Sequence, residues 1–217
     1  MKKLLQISLA LAALFGAAAA QAQSVEAGQK KAAMCIGCHG IPGYQASFPE
    51  VHKVPMISGQ NAKYIASALG AYAKGERKHP TMGGIAKSLS DQDIADLAAF
   101  YEAQGKSVAG PAVPDAAAEP SAQVKELLNK GACASCHGAN FSKPIDGSYP
   151  KLAGQHADYL NVALKSYQTS GNAVVGRGNA IMAGQVKQFS HDELKAIAKY
   201  LASLPGELHT VPQSRFR

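Results

Sequence analysis

Hydrophobic residues recur at helical spacing along most of the chain. Ile94, Leu97, Ala98 and Tyr101 fall at i, i+3, i+4 and i+7, and Leu194, Ile197, Ala198 and Leu201 repeat that spacing, so each set lies on one face of a helix. Ser90 with Asp93, and Ser190 with Glu193, place N-cap signals just before these runs, the second as a full capping box. Tyr64, Ile65, Leu69 and Tyr72 predict a middle helix, as do Tyr159, Leu160, Leu164 and Tyr167. Shorter helices are expected over Val25 to Met34 and Val124 to Ala132. Strand-like alternation is absent, and the predicted class is all-α.

The two sets of helices belong to an internal duplication. Cys35-Ile36-Gly37-Cys38-His39 recurs as Cys133-Ala134-Ser135-Cys136-His137. Pro55-Met56-Ile57-Ser58-Gly59-Gln60 matches Pro150-Lys151-Leu152-Ala153-Gly154-Gln155, and the middle helices follow at a constant offset of 95. Arg77 and Met82 match Arg177 and Met182 after five extra residues in the second copy, and Leu89 to Ile94 parallels Phe189 to Leu194. Matched blocks in one order define one domain written twice. Residues 23–105 form the first copy and 123–217 the second. Between them, residues 106–122 hold three Pro and several Ala, which suits an extended, solvated linker.

Residues 1–22 read as a secretory signal peptide. Lys2 and Lys3 make a positive start, Leu4 to Ala20 is mostly apolar, and Ala20-Gln21-Ala22 offers a cleavage site after Ala22. The run is short for a bilayer span, which takes about 20 apolar residues, and no later stretch approaches that length. A soluble, exported protein is expected.

The chain of 217 residues carries 22 Lys+Arg against 15 Asp+Glu, for a formal charge of +7. The excess is uneven: residues 23–105 hold 8 basic and 7 acidic side chains, residues 123–217 hold 11 and 6. The basic residues are scattered over helical faces rather than clustered among aromatics, which argues against nucleic-acid binding.

The repeated C-x-x-C-H motif carries the chemistry. Two thiols separated by two residues can reach the two vinyl groups of one haem and form thioethers, and the following His then stands over the iron. Disulfides would leave the adjacent His residues unexplained. A zinc site built from both pairs would need them about 15–20 residues apart, and a thioredoxin-like site needs a βαβ context. Two covalent c-type haems are therefore expected, attached at Cys35 and Cys38 and at Cys133 and Cys136, with His39 and His137 as axial ligands. Each copy is small, so the porphyrin also completes its core.

Met82 and Met182 lie 43 and 45 residues after His39 and His137, each expected in a loop before the last helix. Both copies keep Met there while the residues just ahead diverge, which points to the second axial ligand. His79 and His52 are the other candidates for the first haem. Met34 and Met56 have no Met partner in the second copy and read as packing residues. Arg77 and Arg177 are either partners of the haem propionates or solvated loop residues. A thioether ligand favours Fe(II), and two strong ligands leave no open position for oxygen or peroxide. Such sites move electrons and do not transform substrates.

The order C-x-x-C-H, Pro, Met and terminal helix resembles class I cytochrome c, and the tandem copy resembles the dihaem cytochrome c-four family over essentially all of the mature chain. The resemblance implies two class I domains facing each other and electron delivery to a terminal oxidase in the periplasm, from a quinol-oxidising complex or another donor. It also implies that Pro55 and Pro150 accept the N–H of the proximal His. The chain departs from the family at Met56, where the second copy has the usual basic residue, and in the insertion around Asn172 to Gly176. A cytochrome subunit of a periplasmic flavin- or quinone-dependent dehydrogenase is the alternative, since the same tandem domain serves there. A peroxidase would need a displaceable ligand, and a Cys-ligated haem would need a spare Cys. Association with the membrane surface through a partner stays open.

Overall fold

A computed structural model describes residues 23–108, 110 and 112–212; the expected signal peptide lies outside the described residues. In the first copy the helices are α1 (Val25–Lys31), α2 (Ala33–His39), α3 (Ala62–Lys74), α4 (Pro80–Lys87) and α5 (Asp91–Lys106). In the second they are α6 (Ala122–Lys130), α7 (Cys133–His137), α8 (Ala157–Gln168), α9 (Ala180–Val186) and α10 (His191–Ser203). Four two-residue strands accompany them: β1 (Gln45–Ala46), β2 (His52–Lys53), β3 (Arg77–Lys78) and β4 (Gly176–Arg177). The fold is all-α with short ribbons.

Local chemistry sets the helix starts. Ser90 Oγ accepts from Asp93 N at 3.2 Å while Asp93 Oδ2 accepts from Ser90 N at 3.0 Å, and Ser190 and Glu193 do the same for α10 at 3.2 and 2.7 Å. Both last helices therefore begin in a closed capping box. The Cys-bearing helix α2 is separate from α1, with the chain turning at Ala32.

Each copy packs its first and middle helices against its last one. In the first, α1 crosses α5 so closely that a Cβ on Gly28 would meet the Asp96 carbonyl oxygen at 2.1 Å. Ile65, Leu97, Ala98, Phe100 and Tyr101 form its core. The second core, around Leu160, Phe189, Leu194, Ile197 and Leu201, is the larger.

Two expectations are corrected. Met82 and Met182 do not sit in loops: each lies in the first turn of a short helix, α4 or α9. The turns are capped alike, with His79 Nδ1 accepting from Met82 N and Asn179 Oδ1 from Met182 N at 2.9 Å. The segment between the copies, though extended and largely exposed, is tied to the second copy. Asn140 Nδ2 donates to the Pro114 carbonyl at 2.8 Å, Tyr200 Oη to the Ala118 carbonyl at 2.6 Å, and Ala117 packs on the core.

The copies meet face to face through paired contacts. Gln60 donates to the Lys151 carbonyl and accepts from Lys151 N, at 3.0 and 2.9 Å. Gln155 does the same with Met56, at 2.8 and 3.0 Å. Lys63 pairs with Asp146 at 2.9 Å and Lys53 with Asp158 at 3.3 Å. Lys63 and Asp158 are counterparts in the repeat, so one helix position carries opposite charges in the two copies and finds opposite partners. Strands β3 and β4 pair antiparallel across the seam, with Arg77 opposite Arg177. After α10 the chain crosses back, and His209 N donates to the Ser58 carbonyl at 2.9 Å.

Candidate functional site

One cavity of about 550 Å3 runs through both halves and across the seam, within the range of small-molecule and cofactor sites. Cys35, Cys38, His39 and Met82 line it from one side, and Cys133, Cys136, His137 and Met182 from the other. The structure thus brings every sequence-predicted site residue to one continuous space.

Helices α2 and α7 each deliver two thiols and an imidazole from two successive turns. No disulfide joins the four cysteines, so all four sulfurs are available for attachment. Burial pushes the Cys35 thiol up and the Cys133 thiol up to about 11. These are neutral thiols in apolar walls, unlike the depressed thiols of redox-exchange sites.

His39 Nδ1 lies 2.9 Å from the Pro55 carbonyl and His137 Nδ1 lies 3.0 Å from the Pro150 carbonyl. A carbonyl only accepts, so Nδ1 carries the proton in each ring and Nε2 keeps its lone pair. Burial lowers the pKa of both histidines, with the carbonyl contact acting against it. Each ring is therefore neutral, fixed in tautomer, and able to bind a metal through Nε2.

The alternative histidines are differently engaged. His79 caps α4 through Nδ1, and His52 sits buried on β2 with Nδ1 on the Glu50 carbonyl at 2.8 Å. Met56 serves the seam through its backbone, whereas Met34 is 52% exposed and lines the cavity beside Cys35.

Arg77 and Arg177 are half-buried at the seam, opposite each other on β3 and β4, and are not solvated in loops. Arg77 donates to Tyr64 Oη at 3.2 Å and Tyr159 Oη at 2.8 Å, and Arg177 donates to Tyr159 Oη at 3.2 Å. Arg77 also lies 4.6 Å over the Tyr72 ring, and Arg177 5.3 Å over the Tyr167 ring. Burial pushes the Tyr159 phenol up, but the two guanidiniums outweigh it and bring it down to about 8. Among the described residues neither arginine has a carboxylate partner, and the buried Arg77 Nε has no hydrogen-bond partner. Two adjacent, partly buried cations without an anion are costly. A group bringing carboxylates into the cavity would satisfy them, as haem does through its propionates. The walls, the free thiols, the imidazole tautomers and the unpaired guanidiniums all fit such a group.

Comparison with known proteins agrees. The family model described as "Cytochrome c" matches residues 25–103 and again 121–205. The chain is 32% identical to cytochrome c4 of Pseudomonas aeruginosa over 207 residues, covering 94% of this chain and all of that one. It is 30% identical to the thiosulfate dehydrogenase electron acceptor of Thiomonas intermedia, over 94% of this chain and 92% of the relative. The crystal structure of reduced recombinant cytochrome c4 from Pseudomonas stutzeri superposes with a TM-score of 0.63 at 28% identity, covering 84% of this chain and 100% of that one. The chain belongs to the cytochrome c family, as a tandem protein of the cytochrome c4 kind. It carries two covalently bound c-type haems and is an electron-transfer protein, not an enzyme.

Proposed function

We propose that this protein is a soluble periplasmic carrier that passes electrons through a respiratory chain to a terminal oxidase. Cys35 and Cys38 hold the first haem and Cys133 and Cys136 the second, with residues 23–105 and 123–217 as the two haem units and 106–122 as their link. His39 and Met82 ligate the first iron, His137 and Met182 the second. The observation that carries this reading is the matched pair of imidazoles, each with Nδ1 held on a proline carbonyl beside its own Cys pair. When bound, the haem supplies a one-electron couple, and the chain does the rest. The Pro carbonyls orient the imidazoles, Met82 and Met182 would supply thioether ligands that favour Fe(II), and the apolar walls exclude water. Tyr159 holds both arginines at the seam, where propionates of both halves would find them. Among the described residues no helix is long and apolar enough to cross a membrane.

A second reading has a specific support, since relatives include proteins named as thiosulfate dehydrogenase electron acceptors. On that reading the protein takes electrons directly from a periplasmic dehydrogenase. Stopped-flow mixing separates the two. The reduced holoprotein is expected to be reoxidised by membranes containing a terminal oxidase, with cyanide stopping the reaction. If membranes leave it reduced while a dehydrogenase and its substrate reduce it rapidly, the second reading replaces the first.

A further inference from the structure

The two halves differ where their last helices face the cavity. Tyr101 of α5 occupies the position that Leu201 occupies in α10. Both are 3% exposed and both line the cavity, so the fold accepts a purely apolar side chain at this point. Only the first half carries a hydroxyl there. That hydroxyl is buried and makes no hydrogen bond of ordinary geometry among the described residues, although the Cys35 thiol lies near enough to interact with it. A buried polar group left unsatisfied costs about 1–3 kcal/mol, and a phenylalanine of the same shape would avoid that cost. Packing alone does not account for the hydroxyl.

Its surroundings indicate where it acts. The Tyr101 ring packs edge-on against Phe100, with centroids 5.0 Å apart, and belongs to the core cluster on which Cys35 rests. Burial pushes the phenol far up, and Cys35 is the neighbouring group that adds to the shift. The phenol therefore keeps its proton and can serve as a donor. A cysteine sulfur is a weak acceptor, and the Cys35 sulfur is a polar atom within interaction range of this donor.

We propose that Tyr101 tunes the first haem site: in the loaded protein its hydroxyl donates to the Cys35 sulfur and raises the reduction potential of that haem. The inference rests on the reading of Cys35 as a haem-attachment residue. Two effects share the sign. Donation draws electron density from the sulfur and so from the macrocycle joined to it, and the positive end of the O–H dipole disfavours the more positive, oxidised state. Both act inside a buried wall, where a dipole is poorly screened. Tyr101 is thus a positioning and tuning residue that makes two otherwise similar sites unequal.

The test uses the holoprotein and its Tyr101→Phe variant. A pyridine haemochrome assay first counts haems joined through two thioethers; fewer than two per chain overturns both the attachment reading and this inference. With two present, a redox titration of the variant is expected to show one midpoint potential moved down and the other unmoved. Resonance Raman spectra should show a carbon–sulfur band that shifts in heavy water in the parent and no longer shifts in the variant. Both midpoints unmoved, both moved together, or a band insensitive to heavy water in the parent overturns the inference and leaves the attachment reading standing.

Discussion

Gln60 and Gln155 are counterparts in the repeat, and each closes a two-bond ring on the other copy's backbone, Gln60 on Lys151 and Gln155 on Met56. These four bonds cross the seam between the copies. A net hydrogen bond contributes about 1 kcal/mol, so the set holds the halves in one arrangement. The parent holoprotein is expected to melt in a single calorimetric transition. The double substitution Gln60→Ala with Gln155→Ala should split it into two, because each half keeps its own core. A single sharp transition in the double variant would show that the seam is held by other contacts.

Two glycines predict opposite outcomes. Gly28 lies under the Asp96 carbonyl, and an added Cβ would approach that oxygen to 2.1 Å. Since backbone cannot swing aside, Gly28→Ala should force α1 off α5 and cost about 2–4 kcal/mol. Gly70, inside α3, has nothing within 4 Å of an added Cβ, so Gly70→Ala should stabilise by about 0.5–1 kcal/mol. Denaturant titration of the holoproteins measures both.

Acid should loosen the first copy through Asp96. This 2%-exposed carboxylate accepts from Lys31 Nζ, Ser24 N and Gln92 Nε2, all at 2.8 Å. Lys31, then the Ser24 amide, hold its pKa below the ordinary carboxylate range, and Lys31 lowers Asp93 likewise. Because the folded pKa is depressed, the stabilisation is present above about pH 4 and is lost as pH falls through the folded value. Lys31→Met should raise that folded value and move acid unfolding to higher pH, as followed by circular dichroism.

The charge split predicts a salt effect on docking. Residues 123–217 carry 11 basic and 6 acidic side chains, against 8 and 7 in residues 23–105. The second half should remain positive after its propionates are counted, and it should dock on acidic partners. Raising ionic strength should slow that electron-transfer step, as surface charges are screened beyond about 10 Å at 0.1 M salt. A rate that does not change with salt would contradict this assignment.

Much of this architecture was legible because it is local. The C-x-x-C-H pairs, the Ser90 and Ser190 caps and the apolar faces of α5 and α10 need only a few residues to declare themselves. Features that depend on the copies facing each other were not. Gln60 and Gln155 stand out as repeated residues, yet nothing in their spacing says that each reaches the other block. Arg77 and Arg177 look like loop residues until β3 and β4 pair them, and Lys63 and Asp158 look like ordinary surface charges. Helix α4 was missed because Pro80–Lys87 is too short for a period and contains Gly83-Gly84, whose propensity argues against a helix. The ties from Pro114 and Ala118 to the second copy run through backbone carbonyls, which composition does not report. Tyr101 carried a signal in the repeat itself, where an aromatic hydroxyl faces a leucine in the other copy.

The central claim is that both irons are closed by a His and a Met, and carbon monoxide tests it most directly. The absorption spectrum of the dithionite-reduced holoprotein is expected to stay unchanged when the gas is added. Met82→Ala and Met182→Ala should each then make about half of the haem bind it, one site at a time. A carbon monoxide shift in the parent protein would mean an open or labile iron and would contradict the closed-site account.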